Sequence, residues 1–174
     1  MSGLKRYVLN PSQENESSSI IQPGSAQNLL LEERNIPDPR KGQVLVAVKA
    51  FGLNRSELMT RKGLSPSVEF PRVLGIECAG EIISDPSGEH SPGQQVAACM
   101  GGMGRKYDGS YQEFVVLPKS VLMPFETHSF QNEVFGQDQK KGFPPFFKTD
   151  RSSGCSLPLF VLWKPPQPAV ACHP

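Results

Sequence analysis

Short apolar runs alternate with turn-forming residues over the first 125 positions of the chain. Six of these runs have the length and the apolar or β-branched character of strands, and proline- and glycine-containing turns separate them. The predicted strands cover residues 5–9, 29–34, 44–51, 78–84, 95–100 and 111–117. Residues 44–50 are apolar at nearly every position, so we expect this strand to be buried on both faces. The pattern predicts a mainly β fold with a barrel-like core.

One short helix is expected to interrupt the strands. Asn54 and, three residues later, Glu57 fit a capping box, in which each side chain accepts a backbone N–H at the start of the helix. Leu58 and Met59 would then point toward the barrel, and Gly63 would end the helix.

The character of the sequence changes after Glu126. Residues 140–148 and 163–168 carry phenylalanine, tryptophan and proline without a helical or a strand period. Such segments lack the regular apolar spacing from which a core is built. We therefore expect two parts, which are a folded domain over residues 1–125 and an irregular, disordered tail over residues 126–174.

Composition narrows the possible function classes. The chain has 174 residues, of which 37% are hydrophobic, and a formal net charge of +1. This size suits one ordinary core, and the balanced charge favours neither a nucleic-acid nor a membrane-surface partner. We find neither the apolar run of a secretory signal nor the roughly 18 apolar residues of a membrane span. Four scattered cysteines, at positions 78, 99, 155 and 172, indicate free thiols, so we expect a cytoplasmic protein.

Two segments of the expected domain carry a family resemblance. They are GLNRSEL at residues 52–58 and FPRVLGIECAG at residues 70–80, and shorter pieces at 42–46, 92–96 and 108–115 match in the same order. Over residues 25–125 the chain resembles the N-terminal, alcohol dehydrogenase-like domain of the medium-chain dehydrogenase/reductase superfamily. The resemblance implies a GroES-like, partly open β-barrel with one short helix. It also implies truncation, because a complete member continues into a Rossmann domain that this sequence lacks.

The same resemblance bears on zinc. In the zinc-dependent members a cysteine stands at the position of Asn54 and a histidine at the position of Ile76. The chain therefore resembles the zinc-independent, quinone oxidoreductase-like branch. That branch implies NAD(P)H as hydride donor and a quinone or an α,β-unsaturated carbonyl compound as substrate, without a metal. The scattered cysteines agree with this, because they are too sparse for the three or four ligands that a zinc site needs.

The resemblance implies five site residues by position. Asn54 is the catalytic candidate, because an amide both donates and accepts and could orient a carboxamide or a substrate carbonyl. An asparagine before a helix also serves simply as its cap. Arg55, Ser56 and Met59 would face substrate or cofactor, although Met59 also fits the core. Glu77 is expected to be a structural acid at the former zinc site, where it would pair with a base or cap backbone amides.

Three interpretations of the whole chain are open. It is a catalytic-domain fragment that is incomplete without its cofactor domain, or a non-enzymatic product of a truncated or misread gene. In the truncated product an uncovered apolar docking face would favour self-association. The glycine-rich residues 101–107 do not replace the cofactor domain, since they lack the third glycine and the helix of a dinucleotide fingerprint. The third interpretation is a binding module that uses the proline-rich residues 165–168.

Overall fold

The structure, a computed structural model, describes residues 13–126. Its strands are β1 (Asn15–Ile20), β2 (Leu29–Arg34), β3 (Gln43–Phe51), β4 (Arg72–Val73), β5 (Glu77–Ser84), β6 (Gln95–Cys99), β7 (Phe114–Pro118) and β8 (Leu122–Pro124). One α-helix, α1 (Arg55–Arg61), and two 3₁₀ helices, Ala26–Asn28 and Lys119–Val121, lie between the strands. Over these residues no helix combines the length and the apolar character needed to cross a membrane.

The strands form two antiparallel sheets, which confirms the mainly β fold. The smaller sheet has the order β2-β1-β4, and the larger one has the order β7-β3-β5-β6-β8. Neither sheet closes on itself, so the architecture is open, as the resemblance implied. The segment before β7 joins the two sheets, because the Ser18 N–H donates to the Tyr111 carbonyl over 2.8 Å and the Glu113 N–H donates to the Glu16 carbonyl over 3.0 Å.

The central strand β3 is buried on both faces, as its apolar sequence predicts. Val44 and Val46 pack into one apolar cluster with residues of β5, β6 and β7. Leu45 and Ala47 point to the opposite face, where they pack with Ile83 and other apolar side chains in a second cluster. The strand has this double burial because β5 and β7 flank it along its edges while apolar groups cover both of its faces.

Five of the six predicted strands lie wholly within residues 13–126, and all five are confirmed with small differences at their ends. The largest difference is at the predicted strand 111–117, where β7 begins only at Phe114. Residues 111–113 turn instead toward β1, with which Tyr111 and Glu113 each share one backbone hydrogen bond. The predicted strand 5–9 and the predicted tail, apart from Glu126, lie outside the described residues.

The strand β1 was not predicted, because its sequence NESSSI has little apolar character. Its buried Asn15 is satisfied by Gln112, which lies just before β7, and by Phe114, the first residue of β7. Asn15 Nδ2 donates to Gln112 Oε1 over 2.9 Å and to the Phe114 carbonyl over 3.0 Å, and the Phe114 N–H donates to Asn15 Oδ1 over 3.0 Å. A polar strand is buried here because partners distant in sequence satisfy it.

The helix α1 has the predicted bounds, but its orientation is not the predicted one. Its capping box is present, and Gly63, with φ of +77°, follows its end. Leu58 and Met59 do not point at the barrel, since they are 41% and 39% exposed, so the assignment of Met59 to the core was also wrong. Glu57 and Thr60 are buried instead. The helix turns this polar face inward because both side chains find hydrogen-bond partners there.

Candidate functional site

The start of α1 and the start of β5 meet at a pair of polar side chains. Asn54, the residue before α1, donates from Nδ2 to Oε1 of Glu77, the first residue of β5, over 3.0 Å. Asn54 is only 8% exposed, and Glu77 is half-buried. The structure therefore brings together two of the five predicted site residues in one hydrogen-bonded pair.

A buried carboxylate lies behind this pair. Glu57, in the first turn of α1, is 4% exposed and accepts hydrogen bonds from the Asn54 N–H, from the Ile76 N–H over 3.0 Å and from the Tyr111 hydroxyl over 3.0 Å. One side chain thus fixes the main chain at residues 54 and 76. These are the two positions at which the zinc-dependent relatives were expected to carry ligands.

Burial controls the electrostatics of this cluster. Burial raises the pKa of Glu57, and the hydrogen bonds from the N–H groups of residues 54 and 76 and from Tyr111 oppose that shift without cancelling it. Burial and, after it, the nearby negative charge of Glu57 raise the pKa of the Tyr111 phenol far above its ordinary value, and Glu77 adds to the shift. Tyr111 is therefore a hydrogen-bond donor throughout the physiological pH range.

Close packing of two loops sets the position of Tyr111. The Tyr111 N–H donates to the Leu74 carbonyl over 3.0 Å, and Ser110 Oγ donates to the Glu77 carbonyl over 2.6 Å. Gly75, with φ of +104°, lies between those two acceptors, and a Cβ at this position would collide with Ser110. The glycine allows the two loops to approach closely enough for the phenol to reach Glu57.

The remaining predicted site residues surround the helix start but do not join the Asn54–Glu77 pair. Arg55 is exposed. Ser56 is half-buried, and its Oγ is buried without a hydrogen-bond partner within the described residues. Met59 is exposed, together with Leu53 and Leu58, and these three apolar side chains form what we call the α1 surface.

The donor set at the helix start does not suit zinc. An amide stands at position 54 and an aliphatic side chain at position 76, and neither replaces the thiolate or imidazole that zinc prefers. Among residues 13–126 no group of three or more histidine, cysteine or acidic side chains could hold a metal ion.

The two described cysteines are free thiols, as predicted. Burial raises the pKa of Cys78 to about 12 and also raises the pKa of Cys99, so both thiols stay protonated at neutral pH. The other metal-ligating candidates weighed from the sequence, Cys155, Cys172 and His173, lie outside the described residues.

Sequence reasoning missed the two groups that hold the site together. It assigned Glu57 to the capping box alone, although the same carboxylate binds a second segment through the Ile76 N–H. It did not single out Tyr111, which lies 54 positions from its partner Glu57. One signal was available, because Tyr111 is the aromatic residue of the segment at 108–115 that resembles the family.

Several known proteins are similar to this chain over part of their length. A zinc-type alcohol dehydrogenase-like protein of Schizosaccharomyces pombe is 35% identical over 92 residues, which are 51% of this chain and 28% of that protein. An acryloyl-coenzyme A reductase of Metallosphaera sedula is 30% identical over 84 residues, which are 47% of this chain and 25% of that protein. The solved quinone oxidoreductase from Coxiella burnetii is 26% identical with a TM-score of 0.61, over 68% of this chain and 39% of that one.

The chain thus spans between a quarter and two fifths of the length of these relatives. The family model of the alcohol dehydrogenase GroES-like domain matches residues 40–127, slightly more than half of the 174 residues. The match includes β3, α1 and the strands from β4 to β8, and hence the whole cluster around Asn54, Glu57, Glu77 and Tyr111. The chain therefore belongs to the alcohol dehydrogenase GroES-like domain family, within the medium-chain dehydrogenase/reductase superfamily.

Proposed function

We propose that this chain supplies the substrate-side half of an NAD(P)H-dependent, zinc-independent oxidoreductase that reduces a quinone or an α,β-unsaturated carbonyl compound. The observation that carries the proposal is the Asn54–Glu77 hydrogen bond of 3.0 Å at the helix start. At this place the chain has an oriented amide and an aliphatic neighbour, Ile76, where a zinc enzyme needs metal ligands.

The hydrogen bond between Asn54 and Glu77 fixes the orientation of the Asn54 amide. Glu77 Oε1 accepts the hydrogen bond from Nδ2, which sets the donor end of the Asn54 amide. In the capping box the Asn54 side-chain oxygen accepts the Glu57 N–H, so the amide offers a ligand its second N–H and the remaining lone pair of that oxygen, which suits a nicotinamide carboxamide or a substrate carbonyl. The bound nicotinamide would supply the hydride. Asn54 would orient the acceptor, and Glu77 would hold Asn54 in place.

Two further features support a site at this end of the domain. The buried Ser56 Oγ, which has no partner within residues 13–126, is a polar group available to a ligand at the helix start. The exposed α1 surface could cover one side of a bound ligand and keep water away from it. We include Arg55, which is exposed one position after Asn54, as a cofactor- or substrate-facing residue.

The names of two relatives support the substrate class. One relative is an acryloyl-coenzyme A reductase and another is a quinone oxidoreductase, and both names denote reduction of a conjugated carbonyl compound. We also propose that residues 1–125 form the domain, that residues 126–174 form a separate region and that the protein is cytoplasmic. The last described strand, β8, ends at Pro124, and the family match ends at residue 127, which supports that boundary.

The test is a titration of the 174-residue chain with NADPH, followed through the backbone amide resonances in nuclear magnetic resonance spectra. We expect weak but saturable shifts at residues 54–56, 76 and 77, at millimolar rather than micromolar NADPH, because the described residues supply only the substrate-side half of the site and no cradle for the pyrophosphate. Asn54→Ala should weaken binding about tenfold, since a lost hydrogen-bonding group in a buried site costs about that factor. The matched control is Asn35→Ala, which removes an exposed asparagine and should leave binding unchanged.

Absence of saturable shifts, or shifts confined to other parts of the domain, would contradict a cofactor-facing role of Asn54. If binding is seen, a quinone and an enoyl thioester should each be assayed for oxidation of NADPH, with and without a chelator. Activity that disappears on chelation would contradict the zinc-independent part of the proposal.

A further inference from the structure

We propose that Glu57 and Tyr111 are the positioning residues of this site, which act through the main chain of residues 54 and 76 to hold the Asn54 amide against Glu77. This inference rests on the proposed function, because it concerns how the amide proposed to meet the ligand is aimed. Neither side chain belongs to the five residues that the resemblance implied.

The Glu57 carboxylate binds groups well beyond the helix that it caps. A capping box requires only the bond between Glu57 and the Asn54 N–H. Glu57 also accepts the N–H of Ile76, which is 19 positions away, and the hydroxyl of Tyr111, which is 54 positions away. It therefore links three chain segments, which are the start of α1, the turn before β5 and the segment before β7. A helix cap needs only the first of these links.

Residues on both sides of Ile76 are also hydrogen-bonded to the segment of Tyr111. The Tyr111 N–H donates to the Leu74 carbonyl, and Ser110 Oγ donates to the carbonyl of Glu77 itself. A displacement of the Tyr111 segment would therefore move the first residue of β5, and with it the acceptor of the Asn54 amide. The Tyr111 hydroxyl adds a further link between these segments, because it donates to Glu57.

The charge around Glu57 makes its donors important. The hydrogen bonds to it come from two backbone N–H groups and one phenol, the Asn54 side chain also lowers its pKa, and no arginine, lysine or histidine within the described residues forms an ion pair with it. Glu77, which also acts on Tyr111, is another acid. Since no cation offsets the buried carboxylate, each neutral donor matters to its position, and loss of the phenol should loosen the geometry at residues 54 and 76.

The chain offers a matched pair of tyrosines for the experiment. Tyr111→Phe removes a hydroxyl that donates to Glu57, whereas Tyr107→Phe removes a buried hydroxyl that has no hydrogen-bond partner within residues 13–126. Both changes delete one oxygen atom from a half-buried ring. Glu57→Gln is the second variant, because it keeps the shape of the side chain while removing the carboxylate.

The first measurement is the side-chain amide signal of Asn54 in nitrogen–proton correlation spectra of the full 174-residue chain. Asn54→Asp identifies this signal, and Glu77→Gln shows how it responds when its acceptor changes. We expect Tyr111→Phe and Glu57→Gln to shift the signal and to speed its proton exchange about tenfold, while Tyr107→Phe leaves it unchanged. An unchanged signal in both variants, with stability reduced, would show that the two residues only stabilise the fold and would overturn the proposal.

The second measurement is the NADPH titration with Asn54→Ala, Tyr111→Phe and the double variant. If Tyr111 acts through Asn54, the double variant should bind no more weakly than Asn54→Ala alone. Independent, additive losses would overturn the positioning role. A shifted Asn54 signal without any NADPH binding would leave the positioning role intact and contradict the proposed function, so the two failures are distinguishable.

Discussion

Glu57 and Asp85 are two carboxylates with buried side chains, and the domain holds them in opposite ways. Asp85 follows β5 and has no exposed side-chain surface. It accepts the N–H groups of Ser87 over 2.8 Å and of His90 over 3.0 Å, lies 3.0 Å from His90 Nδ1 and forms an ion pair with Lys119 Nζ at 3.1 Å. Glu57 has neutral donors only.

The pKa values of Glu57 and Asp85 shift in opposite directions because only Asp85 has cationic partners. Burial alone would raise the pKa of both groups. At Asp85 the hydrogen bonds from His90, Ser87 and Lys119 outweigh burial and hold the pKa well below its ordinary 3.8. At Glu57 burial outweighs the hydrogen bonds, and the pKa lies above its ordinary 4.5. A cationic partner makes a buried acid a fixed part of a turn, whereas neutral donors leave its charge sensitive to the geometry of the site.

Removing the Glu57 side chain should have the largest effect. In Glu57→Ala the N–H groups of residues 54 and 76 and the Tyr111 hydroxyl lose their acceptor inside the protein. We expect the free energy of unfolding to fall by about 3–5 kcal/mol. Glu89→Ala, which removes an acid that is 68% exposed and paired with Lys119, should change it by less than about 1 kcal/mol. Urea unfolding measures both, and equal losses would contradict the contrast between the two regions.

Removing one donor should have a smaller effect. Tyr111→Phe should lower the free energy of unfolding by about 1–2 kcal/mol, because it takes one hydrogen bond from a buried acid. Tyr107→Phe should change it by at most about 0.5 kcal/mol, because its hydroxyl has no partner within the described residues. A greater loss in Tyr107→Phe than in Tyr111→Phe, in the same urea experiment, would contradict the hydrogen-bonded role of Tyr111.

Asp85 and Glu57 should change the free energy of unfolding in opposite directions as pH rises. The pKa of Asp85 is lower in the folded than in the unfolded state, so its contribution is present above about pH 3.8 and is lost as pH falls from there. The pKa of Glu57 is higher in the folded state, so stability decreases as pH rises from about 4.5 through the raised value. Asp85→Asn should flatten the acid side of the profile and Glu57→Gln the opposite side. Urea midpoints across the range from about pH 3 to about pH 7 test this, and a steeper acid side in Asp85→Asn would contradict it.

Zinc should have no effect on the Tm of the natural chain. Neither zinc nor a chelator should change the Tm of the natural chain, because positions 54 and 76 lack metal ligands. The double variant Asn54→Cys with Ile76→His should gain a zinc-dependent rise in Tm, because it adds a thiolate and an imidazole to the Glu77 carboxylate, which lies 3.0 Å from the side-chain nitrogen at position 54, and so supplies three ligands. A zinc-dependent rise in the natural chain would contradict the proposed zinc independence.

Much of the sheet structure could be predicted from the sequence because local pattern determines it. The continuous apolar run of β3 predicted a strand buried on both faces, and the Asn54–Glu57 spacing predicted the start of α1. The strand β1 could not be predicted, because its burial depends on Gln112 and Phe114, nearly one hundred positions away.

The site itself was only half predictable. Asn54 and Glu77 were identified as candidates by position, but their hydrogen bond joins residues 23 positions apart and depends on how α1 packs against the turn before β5. The predicted orientation of α1 was wrong for the same reason, since it also depends on contacts between residues distant in sequence. Apolar spacing assigned Leu58 to the barrel, whereas tertiary hydrogen bonds to Glu57 placed the polar face there.

The inverted helix α1 has a consequence for natural variation. Leu53, Leu58 and Met59 are exposed, so the domain does not need them for its own core. Polar substitutions at these three positions should leave the fold intact, whereas a substitution at Glu57 should not. Among relatives, variation at positions 53, 58 and 59 would therefore record what each protein places against the α1 surface, and constancy at position 57 would record the need to hold residues 54 and 76 together.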